Sequence, residues 1–130
     1  MQGLHLTADC HQCHCDAALL VDATALLQLC LNAVKTAGLQ AVNQLAHEFP
    51  AVGGIKSGVT ATVLLAESHL CIHTWPELQA VTLDVYVCNF GGDHSAKAHC
   101  LIDTLLAVFK PENADRHELH RGTLNPRLKP

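Results

Sequence analysis

Aromatic side chains are nearly absent: one Trp, one Tyr and three Phe in 130 residues. A core without large rings must be filled by Leu, Val, Ala and Cys, and a hydrophobic content of 49% supplies them. Concentrated positive charge is missing too. Eight Lys and Arg against twelve Asp and Glu leave a formal charge of −4, whereas phosphate backbones demand a dense basic face. Nucleic acid is therefore not an expected partner, and a small cationic ligand is easier to accommodate. No apolar run reaches the ~18 residues that cross a bilayer, so no membrane is expected. The stretch after Met1 lacks the basic and apolar pattern of a secretory signal, which makes the cytoplasm the expected address. Internal repeats and low-complexity segments are also missing, and the length suits a single domain over residues 1–130.

Cysteine, by contrast, is plentiful. Seven thiols are an odd number for a disulfide framework, and a reducing compartment would not support one. Each is a small buried hydrophobe, a metal ligand or a reactive thiol, with the first the commonest.

The apolar patterning gives the order strand, helix, several strands, helix. Residues 3–10 alternate as a strand. Residues 22–37 form an amphipathic helix with Asp22 as N-cap, Gly38 as its stop, and a stripe of Leu26, Leu27, Cys30, Leu31 and Val34. A second strand is predicted over 39–48, a loop from Pro50 to Gly58, and a nearly all-apolar central strand over 59–66. Strands at 70–75 and 81–88 meet at a turn near Pro76. A second long helix runs from Ser95 to Phe109, capped by Asp93 or Ser95, with Cys100 read as core. A short edge strand over 116–120 and a frayed Asn125–Pro130 end complete the reading. This order predicts an α+β two-layer sandwich, mainly antiparallel, with two main helices on one face. The other face needs cover or a second chain.

Three stretches carry chemistry-bearing groups. The run Asp9-Cys10-His11-Gln12-Cys13-His14-Cys15-Asp16 has the residue types of a zinc site. No second knuckle follows it, and alternation would send its ligands to opposite sides. Plain packing or adventitious metal is the better reading, with a non-enzymatic zinc-binding module as an alternative. In Val81–Cys88, alternation groups Thr82, Asp84, Tyr86 and Cys88 on the polar face, away from the valines. That favours a ligand-facing Cys88 modestly over a half-exposed thiol. The third stretch, Glu67-Ser68-His69-Leu70-Cys71-Ile72-His73-Thr74-Trp75-Pro76-Glu77, crowds a serine, a thiol, two imidazoles and two carboxylates together. It lacks the flanking glycines of a nucleophile elbow. Zinc ligation by His69, Cys71 and His73 is geometrically possible, and chemistry and an inert strand end are about evenly balanced on these residues alone.

ESHLCIHTWPE, followed by the strand VTLDVYVC, closely resembles the prokaryotic short form of the S-adenosylmethionine decarboxylase proenzyme family. Gly3-Leu4-His5-Leu6, His47-Glu48-Phe49 and Ser95-Ala96-Lys97-Ala98 extend the resemblance through most of the chain. The resemblance implies a pyruvoyl enzyme that makes its own cofactor, with no metal. The Ser68 hydroxyl would attack the Glu67 carbonyl, and β-elimination would leave residues 1–67 and a chain of 68–130 that begins with a pyruvoyl group. That ketone would take the substrate amine as a Schiff base. By the same resemblance Cys88 donates a proton to the substrate, His73 accepts one during self-cleavage, and Glu77 holds the ribose. Phe49 and Trp75 are candidates for stacking on adenine or the sulfonium, and Thr60 occupies a family serine position. The implied product, decarboxylated S-adenosylmethionine, serves spermidine synthesis. The implied assembly is a homodimer of processed two-chain units with sites near its interface.

Two features complicate this picture. A straight strand separates Ser68 from His73 by roughly 16 Å, so they meet only if the chain turns or another group, such as Thr60, carries the proton. The loop Pro50–Gly58 is longer than the family's, and Asn89-Phe90-Gly91-Gly92-Asp93 stands where a glycine commonly follows the cysteine. Relatives that decarboxylate L-ornithine or L-arginine keep the alternative substrates open.

Overall fold

The computed structural model describes residues 2–122. Its elements run β1 (Gly3–Cys13), α1 (Ala18–Val21), α2 (Ala23–Thr36), β2 (Ala41–Glu48), β3 (Val59–Leu65), β4 (Ser68–Trp75), β5 (Ala80–Cys88), α3 (Ser95–Phe109) and β6 (Pro111–Arg121). A 3-10 turn, Pro76–Leu78, joins β4 to β5. The strands form one sheet in the order β2-β3-β4-β5-β1-β6, and every pairing is antiparallel. The predicted α+β sandwich is thus the observed architecture, with α2 and α3 packed against one face.

Period-two burial explains why these segments are strands. In β3, Val59, Ala61, Val63 and Leu65 are buried while Thr60, Thr62 and Leu64 face outward. In β5, Val81, Leu83, Val85 and Val87 are buried against the helices. Leu26, Cys30, Ala33 and Val34 of α2, and Ala98, Leu101, Ile102, Leu105 and Phe109 of α3, close the core. Asp22 caps α2 as expected, accepting from Thr24 and Ala25 N–H groups. At α3, Asp93 accepts from the Ser95 N–H at 2.9 Å, although the residue in the N-cap position is His94.

Two expectations need correction. Cys100 is exposed, not core: α3 buries residues 98, 101, 102, 105 and 109, and position 100 falls on the opposite side of a 3.6-residue period. The terminal edge strand is not short. β6 spans Pro111–Arg121 and pairs with β1 along nearly its whole length. The predicted fraying of Asn125–Pro130 lies outside the described residues.

Thr74 is the one buried polar side chain among the described residues. Its Oγ1 donates to the Leu20 carbonyl at 2.7 Å and accepts from the Val59 N–H at 2.8 Å, tying α1 to the β3–β4 pair. Thr74→Val keeps the shape but strands a donor and an acceptor. The expected cost is about 2 kcal/mol, read as a lowered urea midpoint at unchanged slope.

Candidate active site

The outer face of the sheet is lined by half-buried polar side chains: His5, Thr7, Thr60, Thr62, His69, Cys71, Thr82, Asp84 and Tyr86. Alternation places the residues of the ESHLCIHTWPE stretch on both sides. Leu70, Ile72 and Thr74 are buried toward the helices, and His69, Cys71, His73 and Trp75 point outward.

One group of predicted residues gathers at the β3–β4 end nearest the Pro76 turn. Phe49, Thr60, His73, Trp75 and Glu77, with Ser57 and Gly58, line a cavity of about 540 Å³, a size suited to a small organic ligand. Thr60 pairs with His73 across the strands, and its Oγ1 lies 2.9 Å from His73 Nδ1. Phe49 is placed by its N–H, which donates to the Gly58 carbonyl at 3.0 Å. Gly58 must be a glycine here, because a Cβ would lie 2.2 Å from the Thr74 carbonyl oxygen. Phe49 and Trp75 stay half exposed, at 49% and 45%, so their ring faces are available to a ligand.

The second group gathers at the other end of β4. Leu65 pairs with Ser68, leaving Ala66 and Glu67 as a two-residue turn. Glu67 takes φ +57°, a left-handed conformation that costs a residue with a Cβ roughly 1–2 kcal/mol. Ser68 begins β4, and its Oγ accepts from the Cys88 N–H at 3.0 Å. Glu67, Ser68, Cys88, Phe90, His94 and Lys97 help line a cavity of about 200 Å³. Cys88 is buried, so it is not the half-exposed thiol that parity left open. Its neighbour Val87 lines the same cavity.

Ser68 and His73 do not meet within one chain. β4 runs unbroken from Ser68 to Trp75, so the two lie five positions apart, roughly 16 Å, on opposite faces of the sheet. Neither expected remedy operates: the strand does not turn after the serine, and Thr60 is paired with His73 rather than lying between the two.

The cysteine-rich stretch departs from the expected alternation: Gln12 takes φ +51°, the period breaks there, and Cys10 and Cys13, an odd three positions apart, share the buried side. Cys10 and Cys13 are buried, and loss of solvation pushes their thiols up to about 11 and about 12. Thiols so hard to ionise are poor metal ligands. His11 and His14 are exposed and contact Asp115 and Glu112 of β6 instead. Cys30 is likewise core, its thiol raised by burial to about 12.

A cluster that spacing did not reveal sits on the outer face. His5 Nε2 and His69 Nε2 each lie 3.0 Å from Asp84 Oδ2, close enough for a cation to be considered. Arg121 Nη1, however, lies 3.1 Å from His5 Nδ1. Arginine only donates, so His5 Nδ1 accepts and its Nε2 carries the proton given to Asp84. The arrangement is a hydrogen-bond chain, and a cation would have to displace that proton beside a guanidinium. Asp84 shares its parity with Cys88, which was the signal in the sequence. His94 and Lys97 gave no such signal, because their place in the Ser68 cavity depends on how α3 docks.

Comparison with known proteins shows the family and the fold. The family model described as S-adenosylmethionine decarboxylase matches residues 4–122. A protein of Picrophilus torridus named S-adenosylmethionine decarboxylase proenzyme is 36% identical over 121 residues, covering 93% of this chain and 85% of its own length. A protein of the same name from Aquifex aeolicus is 37% identical over 120 residues, covering 92% and 81%. The crystal structure of the adenosylmethionine decarboxylase from Aquifex aeolicus superposes with a TM-score of 0.80 at 33% identity, covering 95% of this chain and 93% of that one.

Proposed function

Since the chain belongs to the S-adenosylmethionine decarboxylase family, we propose that it cleaves itself between Glu67 and Ser68 and then decarboxylates S-adenosylmethionine. The observation that carries this reading is the left-handed Glu67 immediately before a serine whose Oγ is held by the Cys88 N–H. The strain is stored next to the carbonyl that must be attacked. Because the Cys88 amide donates to Oγ, the serine's own proton is left free to depart.

β-Elimination followed by hydrolysis of the resulting imine, with water entering and ammonia leaving, would convert Ser68 into a pyruvoyl group, and that ketone would supply the electron sink for decarboxylation of a substrate amine. The residues present fit that group: Ser68 opens on a cavity, and Cys88 is beside it. Cys88 Sγ delivers a proton to the substrate α-carbon. Glu77 holds the ribose hydroxyls, and Phe49 and Trp75 stack on adenine or attract the sulfonium through their ring faces. The product serves spermidine synthesis.

Within one chain these tasks fall in two cavities at opposite ends of β4. We therefore assign the working unit to a homodimer, in which the Thr60–His73–Glu77 cavity of one copy completes the Ser68 centre of the other. The polar outer face, with Leu45 and Leu64 exposed on it, supplies the surface for that association. His73 then serves self-cleavage across the interface.

Carbon dioxide release from carboxyl-labelled S-adenosylmethionine, L-ornithine and L-arginine tests the substrate. Release from S-adenosylmethionine alone is expected; release from ornithine or arginine in its place would overturn the substrate assignment and leave the self-cleavage intact.

Glu67→Gly tests the strained turn. A glycine adopts φ near +57° without the Cβ penalty, so the intact chain is expected to cleave up to about tenfold more slowly. The measurement is the decay of the uncleaved mass with time; a variant that cleaves at the normal rate would show that strain contributes nothing.

A further inference from the structure

The connection between β2 and β3 has a structure of its own. Its base is closed by the Phe49 N–H, which donates to the Gly58 carbonyl at 3.0 Å, and by Ser57 Oγ, which donates to the Pro50 carbonyl at 2.8 Å. Further out, Val52 and Ile55 exchange both backbone hydrogen bonds, at 2.9 and 3.0 Å. Gly53 and Gly54 between them take φ +58° and +80°, the left-handed pair that a two-residue hairpin turn requires. Val52 and Ile55 are thus directly paired, and such a pair sends both side chains to one side. Both are left largely exposed, at 73% and 75%.

These two side chains line a cavity of about 550 Å³, together with Val21 and Pro76. Ser57 and Glu77 belong to this cavity and equally to that of Phe49, Thr60, His73 and Trp75, so the two meet there. Lys56 also lines it and offsets the charge of Glu77. The cavity therefore holds no excess negative charge for the cationic end of ornithine or arginine. A flat, neutral base suits it better. Resting on the S-adenosylmethionine reading above, we propose that Val52 and Ile55 determine specificity by walling the adenine end of the substrate site. The ribose stays at Glu77, where the cavities meet, and the base reaches from Phe49 toward the hairpin. Covering the two side chains removes apolar surface from water. That gain is open to a nucleoside and closed to ornithine or arginine.

Val52→Thr/Ile55→Thr tests the wall. Threonine keeps the β-branching that suits a hairpin and replaces apolar surface with hydroxyl. Both positions are exposed, so the thermal transition and the cleavage of the chain should be unchanged. KM for S-adenosylmethionine is expected to rise ~10-fold with kcat nearly unaltered, the mark of lost binding that does not change along the reaction. The inhibition constant of methylthioadenosine, which has the nucleoside without the amino-acid end, should rise by the same factor. Val52→Ile/Ile55→Val keeps the wall apolar and should keep wild-type values. An unchanged KM and inhibition constant in the threonine variant, or an equal loss in the apolar one, would overturn the proposal. So would loss of the dimer at unchanged KM, which would assign the hairpin to the contact between copies. Failure of the unaltered chain to release carbon dioxide from S-adenosylmethionine would instead overturn the substrate reading on which it rests.

Discussion

Ser68→Ala is expected to persist as a single 14.0 kDa chain with no decarboxylase activity above background. The substitution removes the oxygen proposed to attack, and no other hydroxyl is placed at the two-residue turn after Leu65. It also removes the acceptor for the Cys88 N–H, so a modest loss of stability, about 1 kcal/mol, should accompany the chemical effect. Both consequences are read on one sample: denaturing mass for the chain, urea unfolding for the fold. A cleaved Ser68→Ala chain would exclude Ser68 as the nucleophile.

Cys88→Ala is expected to separate cleavage from turnover. The contact to Ser68 Oγ comes from the Cys88 backbone N–H, which alanine retains, so the chain should still divide after Glu67. The thiol proposed to return a proton to the substrate is gone, and kcat should fall by about 100-fold or more. Denaturing mass and carbon dioxide release on the same preparation check the two halves. A variant that fails to cleave at all would assign the thiol a part in self-cleavage as well.

The pattern of residues made most of the scaffold legible, for identifiable reasons. Alternation in Val59–Leu65 and Ala80–Cys88 and the Asp22 cap each act locally, and local rules carried them through to the fold. β6 was read as too short because it is an edge strand with most of its residues exposed, leaving almost no apolar alternation to detect. Cys100 was misplaced because α3 is apolar around much of its circumference, which blurs the buried side. At the candidate site, the cavity of Phe49, Thr60, His73, Trp75 and Glu77 follows from cross-strand register, and the motif already named its members. The separation of that cavity from Ser68 follows from an odd spacing on an unbroken strand. His94 lay beyond sequence reading. Its position depends on the Asn89 tether and on how α3 meets the sheet, and neither leaves a spacing signal.

Lys97 also lines the Ser68 cavity, so the cavity carries two groups able to bear positive charge. The proposed substrate would carry its sulfonium toward the other cavity, which Phe49, Trp75 and Glu77 help line. In the proposed dimer the substrate would lie with its carboxylate end at Ser68 and its nucleoside end at Phe49 and Trp75 of the second copy.

Intact mass under denaturing conditions, taken on freshly purified protein, tests the central claim most directly. The account predicts two chains, residues 1–67 and 68–130, the second with a blocked terminus that reacts as a ketone. A single undivided 14.0 kDa chain in protein that is folded and incubated under assay conditions would contradict it.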